Sequence, residues 1–360
     1  GDFFSVWYNS YKEVKNLKQI TYRLENYRDF KKFILEVKAS DEYKNAHTVL
    51  FKIMATQLPN EDTKKMYYEL KRNFPKAKTV GISMTRMELN KLINDNSTPD
   101  WAKRFSNFLK NQLYISCCFF YSSNVKIFEF DSGEIDNFPA LARDLNEDLR
   151  AVPELKAVEI FYGHGRESVA QFIDIVSTEL GEVPFFGAEA GLVEPQDLSG
   201  NCHQTLEGDA KQYVLGEKYH EEGIIIVAYS GADLFVVTEY NFGWKPLGKV
   251  MTITETLGTN CIVKIDDVPA FEIYRKYLGI APNELVLFNV FDFPFVVNRG
   301  GLPASRVAVT CDDTGRVYMT GNVKNGEKIS LTYGNPEDIL QGTWDASERI
   351  RKFIPQAIFI

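Results

Sequence analysis

Two stretches of this chain run through the same order of segments a little over one hundred residues apart. Thr48 and Ala157 mark comparable strands, Gly81 and Gly187 comparable glycines, and Tyr121 and Tyr229 a shared Tyr-Ser pair, at separations of 109, 106 and 108 residues. Three landmarks at nearly one offset point to internal duplication, which requires each copy to be a supersecondary unit buried against the other. In the first copy, apolar runs read as a strand at His47 to Met54, a helix to about Phe74, a strand at Thr79 to Met84, and a hairpin of Leu113 to Tyr121 with Val125 to Phe130 around Ser122-Ser-Asn. The second reads as a strand at Ala157 to Tyr162, a helix from Arg166 to Leu180, a strand from Val183, and a hairpin from Gly223 to Val237.

The 360 residues are enough for two domains. A helix over about 25 to 40, with Leu24, Phe30, Phe33, Ile34 and Val37 on one face, precedes the first copy. Beyond Tyr240, strand signals dominate. They run from Gly248 to Thr256, Cys261 to Ile265, Leu285 to Phe291, Arg306 to Cys311, Val317 to Gly321 and Lys328 to Tyr333, with Asn325-Gly as a hairpin turn. Pro336 opens a last helix. The expected fold class is α/β, with an internally duplicated strand–helix–strand–hairpin N-terminal domain and a smaller mixed α+β C-terminal domain. The expected boundaries are 1–45 for an N-terminal extension with the first helix, 46–245 for the duplicated domain (repeats about 46–131 and 157–240), and 246–360 for the second domain.

Hydrophobic residues make up 44% and charged residues 25%, as in ordinary globular chains, which excludes a disordered or fibrous protein. Lys plus Arg number 41 against 49 Asp plus Glu, with no basic stripe, so nucleic acid is not an expected partner. No apolar run approaches the roughly 20 residues of a membrane span. Five cysteines without a C-x-x-C read as free thiols of a reducing compartment, which makes cytoplasmic localisation the expectation.

Gly163-His164-Gly165 follows an apolar strand and opens a helix, so it reads either as a tight turn or as an anion contact for a carboxylate or phosphate. Gly187-Ala-Glu189 follows the next strand. Small residues there admit a ligand to the backbone and Glu189 suits an ammonium group, unless the stretch only packs strand on helix. Arg299, beside Gly300-Gly301, has donors for a carboxylate or for a surface ion pair. Tyr229, Phe242 and Trp244 form either an apolar ligand wall between domains or ordinary core. His47, His164, His203 and His220 show no zinc spacing. No Ser/His/Asp or Cys/His set appears, so catalytic and metal residues are expected to be none, with an enzyme site at the Gly163 loop as an alternative.

Several stretches together resemble the FIST sensory family. They are Gly223 to Gly231, Trp244 to Thr254, Asn260 to Ile265 and Pro269 to Gly279, the strand pair Val317 to Tyr333 with Asn335-Pro-Glu-Asp338, and the shorter Val80-Gly-Ile-Ser and Phe186 to Gly191. The resemblance implies a FIST N-terminal and a FIST C-terminal region and a ligand sensor for a small molecule such as an amino acid. It implies regulation of a C-terminal signalling output, for example a diguanylate cyclase or histidine kinase, and it admits a homodimer. The chain then reads as the sensor part of a larger protein, cut within the apolar stretch Phe353 to Ile360. Some relatives are haem-based nitric oxide sensors, so the resemblance also admits His164 or His203 as an axial haem ligand, although no cofactor is the first expectation.

Overall fold

The computed structural model describes residues 16–56, 60–84, 112–131, 137–163, 169–190, 212–280, 290, 292–299 and 301–359. The duplicated part begins earlier than the sequence predicts. Strand β1 (Leu17–Leu24) leads into helix α1 (Tyr27–Ala39), short helix α2 (Asp41–Asn45), strand β2 (Thr48–Thr56), helix α3 (Asn60–Asn73), strand β3 (Lys78–Met84) and strand β4 (Gln112–Phe120). The order then starts again: β5 (Asn124–Asp131), α4 (Phe138–Arg150), β6 (Leu155–Tyr162), α5 (Ala170–Leu180), β7 (Phe185–Glu189), a small pair β8 (Val214–Leu215) and β9 (Tyr219–His220), and β10 (Gly223–Ser230).

The repeat therefore spans 17–120 and 124–230. The stretch expected as an N-terminal extension supplies an edge strand and a helix of the first copy, and α4 is its counterpart in the second. In each copy the strand after the first helix is central: β2 lies parallel to β3 and antiparallel to β4, and β6 lies parallel to β7 and antiparallel to β10. The remaining strand caps this trio, β1 beside β4 and β5 beside β10.

Neither predicted hairpin forms. β4 and β5 are consecutive but enter different sheets, one of order β1-β4-β2-β3-β8-β9 and the other β5-β10-β6-β7. Tyr121 to Ser123 is the joint between two repeats, which two adjacent apolar runs imitate in sequence. After β10 the chain from Gly231 to Gly243 pairs with no strand. Its apolar residues instead lie singly, with Leu234 buried and Phe235 and Val237 exposed.

Period-two alternation explains the layering. From β2, Val49, Phe51, Ile53 and Ala55 face one core with Phe30, Phe33 and Val37 of α1 and Tyr67 and Leu70 of α3. From β10, Ile224, Ile226 and Ala228 face another with Leu145 and Leu149 of α4 and Phe172 and Val176 of α5. The alternate residues, among them Leu50, Cys118, Phe161, Ile225, Val227 and Tyr229, meet in a third core between the sheets. Four layers result: helices, sheet, sheet, helices.

One polar cluster lies inside the middle core. Lys52 and Glu159 stand at corresponding places in the two repeats, each one residue before the isoleucine that faces the glycine of the parallel partner strand: Ile53 opposite Gly81, Ile160 opposite Gly187. The Lys52 ammonium lies 2.6 Å from the Glu159 carboxylate, and the Tyr229 hydroxyl donates to its other oxygen at 2.5 Å. Both charged residues are buried. Burial, then the neighbouring Glu159 charge, pushes the Tyr229 hydroxyl well above its ordinary range, so it remains a donor.

The C-terminal region forms the third sheet from β11 (Trp244–Leu257), β12 (Cys261–Ile265), β13 (Val268–Pro269), β14 (Phe295–Arg299), β15 (Leu302–Arg306), β16 (Ala308–Cys311), β17 (Val317–Met319) and β18 (Lys328–Gly334), in the order β15-β14-β18-β11-β12-β17-β16 with β13 on β12. Helix α6 (Phe271–Leu278) packs Phe271, Ile273 and Tyr274 into its core, and α7 (Pro336–Phe353) follows β18. The turn at Asp312 joins β16 to β17 as a hairpin. Asn325-Gly326 does not join one, because β18 pairs with β11 and β14 instead of β17. The predicted strand at 285–291 lies almost wholly outside the described residues.

Two outcomes follow for stability. Lys52→Met leaves a buried carboxylate without its cation and should cost about 3–5 kcal/mol, whereas pairing it with Glu159→Gln should recover most of that loss in urea unfolding. A Cβ at residue 81 or 187 would stand 2.3 or 1.9 Å from the carbonyl oxygen of Ile53 or Ile160. Gly81→Ala and Gly187→Ala should each lower stability by about 2 kcal/mol or more, read from the same unfolding curves.

Candidate functional site

In α/β sheets ligands bind beyond the carboxyl ends of parallel strands, where loops leave the sheet and helices begin. In the second repeat this place is the end of β6 and β7. Register sets Tyr162 opposite Glu189, and the Tyr162 hydroxyl donates to the Glu189 carboxylate at 3.1 Å. The Ala190 amide donates to the Tyr162 carbonyl at 2.7 Å, holding the two strand ends together as they leave the sheet. Residues 187 to 189 are exposed, and glycine at 187 is required by its backbone contact with Ile160. Burial, then the Glu189 charge, raises the Tyr162 hydroxyl above its ordinary range.

Gly163 lies at the same edge but is buried, and its N–H donates to the Gly223 carbonyl at 2.8 Å. That amide is already satisfied and offers nothing to an anion. A methyl group added there would approach the Glu221 carbonyl to 3.3 Å, so the glycine serves close packing of β6 on the turn before β10. His164 and Gly165 lie outside the described residues, as does His203.

The edge is more acidic than the sequence suggests. His220 is buried, with one ring nitrogen 3.5 Å from Glu129 and the other 3.5 Å from Asp131. Glu129 in turn accepts the backbone amides of Glu217 and Lys218. Glu129, Asp131 and His220 gather because β5 and β9 end beside the same turn, a proximity that no sequence spacing announces.

The other predicted contacts are dispersed. Tyr229 faces the core between the sheets, against Phe120 and Phe359, with its hydroxyl on Glu159. It therefore does not join Trp244, which starts β11 and packs on Phe242 at 5.6 Å. The expected aromatic wall of three residues is thus a pair, Phe242 with Trp244, extended by Tyr240, whose ring stacks on Phe242. Arg299 ends β14, where its guanidinium is taken by Glu327 at 3.0 Å and the Asn322 carbonyl at 3.1 Å. From the same turn, Lys324 reaches Asp174 of α5 at 3.5 Å, linking the C-terminal sheet to the helix that follows the Gly163 loop.

Among the described residues, no group of three or more His, Cys, Asp or Glu side chains could hold a metal ion. Also among them, no helix is long and apolar enough to cross a membrane. Cys117, Cys118, Cys261 and Cys311 are free. Burial pushes the Cys118 thiol up to about 12, so it is no nucleophile near neutrality. An unfolded cysteine thiol ionises near 9.0, so this group's contribution to stability is full below that pH and is lost as pH rises from 9.0 towards 12. Alkylation of Cys118 by iodoacetamide at pH 8 should therefore follow global unfolding in urea and be negligible in the native protein.

No curated protein matches the chain. Family models do: the FIST N domain over residues 50–268 and the FIST C domain over residues 270–360. The boundary between the two falls inside the third sheet, just before α6, so the FIST N match takes in the duplicated domain from β2 onward together with β11 and β12, and leaves β1, α1 and α2 outside it. Matched from residue 50 to its end, with the repeated β-α-β edges and the appended sheet described above, the chain belongs to the FIST family of sensory domains.

Proposed function

We propose that the chain receives a small zwitterionic metabolite, such as an amino acid, at the carboxyl end of β6 and β7. The observation that carries this reading is the Tyr162–Glu189 pair: an exposed carboxylate oriented by a neighbouring hydroxyl, beside residues too small to obstruct a ligand. Glu189 is the partner for the ammonium group, through a charge-assisted hydrogen bond. The Gly163 amide is committed to Gly223, which leaves the sequence-expected His164 and Gly165 as the partners for the ligand's carboxylate.

Reception biases the module between two states in proportion to the ligand's unequal affinity for them. The contact of Lys324 with Asp174 supports passage of that bias to the C-terminal region, because α5 connects the β6 end to β7. The regulated output is a signalling domain such as a diguanylate cyclase or histidine kinase. The free thiols support a cytoplasmic setting.

Calorimetry against a panel of proteinogenic amino acids tests the site. One member should bind with one-to-one stoichiometry, and Glu189→Ala should weaken it at least about tenfold, the loss of one charge-assisted bond. Absence of binding by every member, or binding indifferent to both Glu189→Ala and His164→Ala, would remove this reading. Mass spectrometry of the denatured protein would identify a metabolite that copurifies with it.

A further inference from the structure

The middle core of the duplicated domain is closed by a residue from the other end of the chain. After α7, residues 354–359 leave the C-terminal region and run to strand β1. The Leu17 amide donates to the Gln356 side chain at 3.1 Å, and the Ile358 amide donates to the Gln19 side chain at 2.8 Å. Phe359 then lies with its ring 3.6 Å from the Lys52 ammonium and 5.8 Å from the Tyr229 ring. The occupant suits the seat: a neutral aromatic ring contacts the cation through its face without disturbing the carboxylate that already neutralises it.

The segment is held against strain. Ile354 ends α7 at φ 52° and ψ 62°, a left-handed conformation that a β-branched side chain strongly disfavours, and its side chain is exposed, so no packing of its own holds it there. Such strain persists only where surrounding contacts over-determine it. Here those contacts are the two glutamine bonds and Phe359.

We propose that residues 355–359 form a releasable strap whose docking reports the state of the Lys52–Glu159 pair, coupling the two sheets of the duplicated domain to helix α7. A shift between the sheets that moves Lys52 removes the seat of Phe359. Relief of strain at Ile354 then favours release. The device does not depend on where the ligand binds.

Amide hydrogen exchange of the full chain, read by mass spectrometry, tests it. Peptides covering 355–359 should exchange more slowly than the free sequence. Phe359→Ala should speed them about tenfold, the loss of one desolvated cation–ring contact. The paired change Lys52→Met with Glu159→Gln should speed them comparably while β2 and β6 stay protected, which shows the fold intact. Ile354→Gly should act in the opposite sense and slow them roughly fivefold, because glycine adopts the left-handed turn without strain. Exchange at the free-peptide rate in the unaltered protein, or a strap unmoved by the Lys52/Glu159 pair of changes, or an Ile354→Gly strap no slower than the original, would each overturn the proposal.

Discussion

Two sheets that share one core must fill the space between them without stranding a polar group, and this protein puts an ion pair there. Lys52 and Glu159 occupy corresponding positions in two copies of one unit, so the pair forms only when the copies face each other in the correct register. Removing two charges from water is expensive, and their mutual attraction repays it only with good geometry and satisfied neighbours. The hydroxyl of Tyr229 supplies one of those neighbours, from the strand that lies beside β6. A central strand slipped by one residue would turn its charge towards the helices and leave the other charge buried without its partner.

Around that point the four layers follow from alternation along the strands. Each central strand gives one side to helices and the other to the opposite sheet, so the cores separate cleanly into two outer and one inner. The glycines that mark the repeat have a physical reason: at 81 and 187 the parallel neighbour's backbone occupies the space of a side chain. The second copy departs from the first where β7 ends, with Tyr162, Glu189 and the buried His220 between two carboxylates. Duplication thus supplies a symmetric scaffold, and the proposed site lies where one copy differs.

Much of the fold was legible in the sequence. The strands of the two β-α-β cores, the helix at 27–39 with its apolar face and the last helix all carry local signals that tertiary packing does not override. The phase of the repeat was not legible. Leu113 to Tyr121 and Val125 to Phe130 look like a hairpin because two apolar runs around a polar turn carry the same pattern whether the second strand folds back or crosses to another sheet. The same ambiguity hid the unpaired course of Gly231 to Gly243, whereas α4 does carry a local signal, its Asn137 cap and the apolar face of Phe138, Ala142, Leu145 and Leu149.

For the site, residue type was informative and position was not. Gly187 and Glu189 lie together at a strand end because they are neighbours in a chain whose strands the sequence does reveal. Tyr229, Trp244 and Arg299 are separated by the packing of three sheets, and the partners that claim them, Glu159, Phe242 and Glu327, are far from predictable spacing. By itself the sequence determined the duplication, the α/β class and the family resemblance, because periodicity and motif order are properties of the chain read locally. Only the tertiary structure decided which strands share a sheet, that Lys52 meets Glu159, and that Phe359 returns to cover them. The last two join residues more than one hundred positions apart, and the free energy that selects them exists only once the layers have closed.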